Sequence, residues 1–419
     1  MRAWAELAVL ALLVIVGGAL YWPVFDIPPF EEDNIYALAW VAAVPAGALL
    51  TVDPAIYPEW RPLAYATVWL EHAAGGSVTA HFAVNLALWI GCAWLVYRIV
   101  ETLAQSRPAA LLAAALVLTD PRATWALVSI IERQTTMACA FGLGALWLIL
   151  RRDGDRLTGP TTAGVIALLL ASALSKEYGL AFTVAVAGFG LARRRADLAV
   201  PALVVGAAYV LLRSAIAGGA SAPYCEDMYF FSTRRAVCLE PLQLASFPQL
   251  AYNVAATLVN MPLLGLLSGA GEPILAEYRL VVGLLFTALA ATALVRGPVA
   301  VGMIAIVPIA NAFLSLMIYR DRNQLAGACA LAILAGVGLR PALGLLRSRA
   351  LRIAAIAAIA ALLTSQAILA HALVVEERSK AKAIEPCGSA IRERPFVPPF
   401  IAAIKMRHGL ADPFCLAAY

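Results

Sequence analysis

The chain has 419 residues, 62% of them hydrophobic and 14% charged, with 31 basic against 26 acidic side chains. With a mean hydropathy of +0.83, it carries more apolar surface than a soluble domain can bury, which marks an integral membrane protein. A disordered chain, a secreted disulfide scaffold and a cytosolic enzyme are excluded, and a formal charge of +5 spread over many loops leaves no nucleic-acid footprint.

The first apolar run, 5–22, follows only Arg2 and shows no small-residue cleavage site before Trp22-Pro23, so it reads as a retained helix. A long segment rich in Pro, Trp and Tyr comes next and opens on Pro28-Pro29-Phe30-Glu31-Glu32-Asp33. Crowded like charges raise one carboxyl, as a general base needs, and carboxylate oxygens suit a hard divalent cation such as Mg or Mn; the plain alternative is a solvated acidic loop. Arg61 then precedes Pro62-Leu63 and fits either an interfacial anchor or a phosphate partner. Residues 62–73, followed by Gly75-Gly76, read as a short helix lying along the membrane surface.

The second span, 78–100, begins with His81 and Asn85, which i, i+4 spacing sets on one helix face. His81 fits a hydrogen-bonded structural group or a ligand. A short span at 108–119 stops at Asp120-Pro121, and Ile131-Glu132-Arg133-Gln134 leads into the span 134–150. Glu132 and Arg133 near the bilayer edge read as a structural ion pair or as site groups. Between the spans 160–174 and 178–192, Ser175-Lys176-Glu177-Tyr178 places a cation beside an anion where a bare hairpin needs neither; turn solvation is the alternative.

Spans at 198–216, 279–296, 297–317, 324–340 and 351–374 bring the count to about eleven, so the predicted class is all-α, a polytopic membrane protein with outer-face interfacial helices. The stretch 248–268, interrupted by Asn253, Asn260 and Pro262, is placed on the surface, because only then do the later Arg-rich loops stay cytoplasmic. The N-terminus is then inside, and Glu31-Glu32-Asp33, Asp120, Glu132 and Glu177 are outside. So is Tyr319-Arg320-Asp321-Arg322, where two guanidiniums within three residues form a seat for a carrier phosphate or an ion-paired helix end. Residues 1–374 form the membrane body and 375–419 a small outer-face tail. Cys92, Cys139 and Cys329 lie in apolar runs, whereas Cys225, Cys238, Cys387 and Cys415 lie in polar loops and can pair if that side is oxidising. Cys225–Cys238 and Cys387–Cys415 are the expected pairs, with other pairings of the four open.

In this order the elements resemble the GT-C class of multi-spanning glycosyltransferases, and more narrowly the membrane part of protein O-mannosyltransferase-like proteins with tetratricopeptide tails. The likeness rests on the acidic pair after the first span, Arg61-Pro62-Leu63, His81 with Asn85, Asp120-Pro121 with Arg133, Ser175-Lys176-Glu177 and Tyr319-Arg320, over about residues 20–325. It implies that Glu32-Asp33, standing where the family has Asp-Asp, is the catalytic pair, and that sugar comes from a polyprenyl-phosphate donor. Basic residues, here Arg320, Arg322, Arg133 and Lys176, would hold the donor phosphate. Glu31, Arg61, His81, Asn85, Asp120, Glu132, Glu177 and Tyr319 would bind substrate or support the site. The expected function is therefore a glycosyltransferase of the bacterial inner (plasma) membrane acting on a protein or glycan hydroxyl. A transporter or lipid flippase is the rival from another class, an outer-face glycan ligase or polymerase a second enzymatic one, and a non-catalytic assembly subunit a third.

Overall fold

A computed structural model describes residues 2–27, 60–152, 156–216, 224–230, 233–239, 288–314 and 325–392. Glu31, Glu32, Asp33, Tyr319, Arg320, Arg322, Cys415 and the stretch 248–268 lie outside these residues.

Several helices begin where the sequence supplies a cap or a proline. Helix α1 (Arg2–Tyr21) runs into a 3-10 turn at Trp22–Asp26, where Pro23 begins a new backbone path. Pro62 opens α2 (Pro62–Ala73) from the N-cap Arg61. Ser77 caps α3 (Val78–Ala104) by accepting from the Ala80 amide at 3.2 Å, and Gln105 ends it in the left-handed region at φ 48°. Then come α4 (Arg107–Leu118), the short α5 (Ala123–Val128) and α6 (Arg133–Leu150). They are followed by α7 (Gly159–Ser175), a 3-10 turn at Glu177–Gly179, α8 (Leu180–Ala192) and α9 (Ala196–Ile216). The later helices are α10 (Val301–Leu314), α11 (Leu325–Leu345) and α12 (Arg349–Arg392), with a helical stretch at 288–296 before them.

Helix α3 is the axis of the bundle, packed against α1, α4, α6 and α11, while α7, α9, α8 and α10 continue the circle from α6 round to α11. Burial follows: Phe82, Trp89, Val96 and Val100 of α3 are fully enclosed, facing such residues as Leu143 of α6 and Ile333 of α11. Close approach is bought with glycine. A Cβ on Gly142 would run into the Phe182 ring, and one on Gly336 would stand 2.9 Å from the Ala113 Cβ.

Among the described residues, five helices are long and apolar enough to cross a membrane: Trp4–Asp26, Val78–Ala104, Ala196–Ile216, Leu325–Leu345 and Arg349–Ser379. Shorter apolar helices stand at Arg107–Leu118, Gly159–Ser175, Glu177–Ala192 and Val301–Asn311, where further spans were expected. Outward residues of the long helices, such as Ile15, Leu203, Leu211 and Ile353, are more than half exposed and face lipid in a bilayer. The chain is a multi-pass, helical membrane protein.

Two features were not foreseen. An antiparallel hairpin of β1 (Tyr224–Phe230) and β2 (Thr233–Leu239) follows α9, an addition to the all-α body, and its register sets Cys225 opposite Cys238. Helix α12 runs unbroken through residue 374, where the membrane body was expected to give way to a tail, and its backbone carries Cys387.

Candidate functional site

Helix α2 crosses one end of the bundle, packed on α3, α6 and α7, and its two ends carry opposite charges. At its far end Glu71 meets Arg133, the first residue of α6. The guanidinium donates to both Glu71 oxygens, Nη1 to Oε1 at 2.6 Å and Nη2 to Oε2 at 2.9 Å. Its Nε donates to Asn85 Oδ1 at 2.9 Å and Nη2 also to the His81 carbonyl at 2.9 Å. Asn85 in turn donates to the Ser129 carbonyl at 2.9 Å, tying α3 to the α5–α6 turn. His81 Nδ1 lies 2.6 Å from Glu71 Oε2. Burial would raise the Glu71 carboxyl, but the His81 hydrogen bond and the Arg133 charge bring it below its ordinary value.

The residue before Arg133 makes a second pair. Lys176 Nζ donates to Glu132 Oε2 at 2.9 Å and to Thr135 Oγ1 at 2.8 Å, and the Thr135 hydroxyl donates to the same carboxylate oxygen at 2.8 Å. The residue after Lys176 makes a third. Arg61, at the near end of α2, holds Glu177 through Nε at 3.0 Å and Nη2 at 2.6 Å. Burial alone would raise the Glu177 carboxyl, yet the charge and hydrogen bonds of Arg61, with Lys176 and Arg213 nearby, hold it at about 2 instead of 4.5.

These pairs close a circuit of alternating sign. From Arg61 it passes to Glu177, along the chain to Lys176, across to Glu132, along the chain to Arg133, across to Glu71, and back through α2. Arg213, in the last turn of α9, stands beside it, 3.9 Å from Glu177 Oε2 and donating to the Tyr209 hydroxyl at 3.0 Å. Tyr209 packs against Trp60, with ring centroids 6.0 Å apart.

Seven of the residues singled out from sequence thus converge: Arg61, His81, Asn85, Glu132, Arg133, Lys176 and Glu177. Asp120 has a different neighbour, accepting from the Arg122 amide at 3.0 Å and from its Nε at 2.8 Å. Arg133 and Lys176 were expected to reach a donor phosphate. The structure gives both a carboxylate partner instead, with Arg133 0% and Lys176 2% exposed. Nor do Glu132 and Arg133 pair with each other; each is bonded across the bundle. Glu71, Thr135 and Arg213 were not singled out from sequence. Glu71 had one signal, since a carboxylate in the last turn of a helix opposes the helix dipole and needs a cation to offset it. Among the described residues no cluster of three His, Cys, Asp or Glu side chains is gathered for a metal, and Cys92, Cys139 and Cys329 are buried free thiols.

No protein-family model matches the chain. A 127-residue stretch is 32% identical to protein O-mannosyl-transferase Tmtc1 of Drosophila melanogaster, covering 30% of this chain and 15% of that protein. Among solved structures the chain is similar to ArnT from Cupriavidus metallidurans bound to undecaprenyl phosphate. The TM-score is 0.54 at 15% identity, over 94% of this chain and 81% of that one. It is also similar to the archaeal oligosaccharyltransferase AglB from Archaeoglobus fulgidus in complex with an inhibitory peptide and a dolichol-phosphate. There the TM-score is 0.50 at 13% identity, over 89% and 56% of the two chains. The fold is therefore the GT-C-like membrane fold.

Proposed function

We propose that the chain is a GT-C-type membrane glycosyltransferase moving one sugar from a polyprenyl-phosphate donor to a hydroxyl of a protein or glycan, on the extracytoplasmic face of a plasma membrane. The observation that carries this reading is the charge circuit: residues matching short, scattered motifs of that class meet at one end of a bundle with that class's fold. The solved neighbours hold lipid phosphates, and the partial relative is named for sugar transfer. A transporter would place its ionisable groups at the bilayer midplane on broken helices. Here they stand at helix ends: Arg61 before α2, Glu132 before α6, Lys176 and Glu177 between α7 and α8.

In this reading Glu32 or Asp33 accepts the proton of the acceptor hydroxyl as its oxygen bonds to the anomeric carbon. The carrier phosphate departs with the electrons of the broken bond, and Arg320 and Arg322 oppose its growing charge. By donor chemistry that acidic cluster is also the place for a divalent ion such as Mg or Mn. The circuit ties Arg61, at the start of α2, to Glu177 in the turn between α7 and α8. Residues 375–419 belong to the same outer side.

The test is transfer by the purified protein from a set of polyprenyl-phosphate sugars, with released carrier phosphate as the readout. The double variant Glu32→Gln/Asp33→Asn should lose about 10²- to 10⁴-fold in rate with the thermal midpoint unchanged. Near-normal turnover would remove the acidic pair from catalysis.

A further inference from the structure

We propose that Arg213 seats the phosphate of the lipid-linked donor, with the carrier's isoprenoid chain laid along α9. This deepens the reading above and rests on it.

Three observations converge. The first is exposure: side chains of Arg61, Arg133 and Lys176 are 5%, 0% and 3% exposed, whereas that of Arg213 is 39% exposed. The second is charge. Arg213 is a fourth cation beside three cations and three carboxylates, and it stands 3.9 Å from a Glu177 carboxylate whose two oxygens already accept from Arg61. The third is geometry. Tyr209, steadied by Trp60, holds Nη1 of Arg213, while Nε and Nη2 meet no acceptor among the described residues. That leaves a planar two-donor edge of the kind that grips two phosphate oxygens.

The surroundings argue for a lipid phosphate rather than a soluble one. The turns of α9 around Arg213 expose Val210, Leu211 and Leu212 at 55%, 70% and 44%. Earlier turns expose Val200, Leu203 and Val204. A long apolar tail can lie along this face while its phosphate reaches the guanidinium at the helix end, where the C-terminal carbonyls also favour a cation. Two sources share this chemistry, a polyprenyl phosphate and an ordinary anionic phospholipid. The second guanidinium on Glu177, that of Arg61, and the shielded aromatic pair favour the carrier.

The test is retention of a polyprenyl monophosphate and, separately, of phosphatidylglycerol by the purified full chain, read by native mass spectrometry. Arg213→Gln should weaken the polyprenyl monophosphate by about tenfold or more. Arg213→Lys should give an intermediate loss, and phosphatidylglycerol should be unaffected by either. Tyr209→Phe, which frees Nη1 without touching the charge, should weaken it less. Unchanged retention in all three variants would reduce Arg213 to a snorkelling anchor and overturn the proposal. Equal loss of both lipids would overturn the carrier assignment in favour of a phospholipid headgroup. The two readings separate cleanly: Arg213-dependent retention without sugar transfer by the wild type sinks the proposed function and spares the seat. Sugar transfer with an unchanged donor KM in Arg213→Gln does the reverse.

Discussion

A guanidinium with no solvent exposure persists only when its charge and its donors are all met. At Arg133, Glu71 meets the charge and two donors, with Asn85 and the His81 carbonyl taking others. Removing one partner of such a pair strands the other, at a cost of about 3–5 kcal/mol, whereas replacing both by apolar residues of similar volume costs far less. Glu71→Ala should therefore depress the thermal midpoint much more than Glu71→Leu combined with Arg133→Met; an equal effect would mean the pair is not what holds α2. At Glu177 the sign runs with acid. Its folded value of about 2 lies below the ordinary 4.5, so its contribution to stability is complete above about pH 4.5 and is lost as the pH falls toward 2. In Arg61→Ala that acid-labile part should shrink, measured as the change in thermal midpoint between pH 6 and pH 3. Sequence spacing put His81 and Asn85 on one face, and both join the same group: the Asn85 side chain meets Arg133 and the His81 ring meets Glu71. The pairings themselves were illegible, since Arg61 and Glu177 lie 116 positions apart and Arg133 and Glu71 62 apart, with no local pattern linking them.

Helix α2 was legible to the residue because Pro62 and the Gly75-Gly76 pair bracket it. The hairpin was not, because charged strands such as Thr233–Leu239 carry little apolar alternation. Its register, however, gives the expected Cys225–Cys238 pair a physical basis: directly opposed residues of an antiparallel ladder lie about 4.5–5.5 Å apart between Cα atoms, within disulfide reach. Non-reducing peptide mapping should recover a Cys225–Cys238 crosslink, and both as free thiols in protein from an oxidising compartment would refute it. Between α6 and α8, Gly142 makes a close contact, with a Cβ there meeting the Phe182 ring. Gly142→Ala should cost about 1–3 kcal/mol by overpacking. Gly142→Ala with Phe182→Leu should recover part of it, as thermal unfolding of the single and double variants would reveal.

For the whole molecule, composition and run length were sufficient to read a polytopic helical bundle, because apolar stretches in lipid have no alternative to the helix. The Arg distribution predicts the sides of the ends, and reporter fusions after Ala196 and after Val375 should read cytoplasmic and outer respectively; the same side for both would overturn the placing of the proposed active face. What run length could not convey is how far an element continues beyond the bilayer, and α12 is the case in point. Its 44 residues make a rod of about 66 Å against a hydrocarbon layer of about 30 Å. Arg378 fastens it to Asp26 at 2.6 Å, at the foot of the segment that bears the acidic cluster. From that rivet to Arg392 the helix rises by at most about 21 Å. It is a mast stepped at Asp26, reaching well past the contact that fastens it. Lengthening or shortening this upper section by two turns would move the end of the helix by about 11 Å without touching a single residue of the charge circuit, so the reach of this helix is adjustable separately from the ion pairs that tie α2, α6 and α7 together.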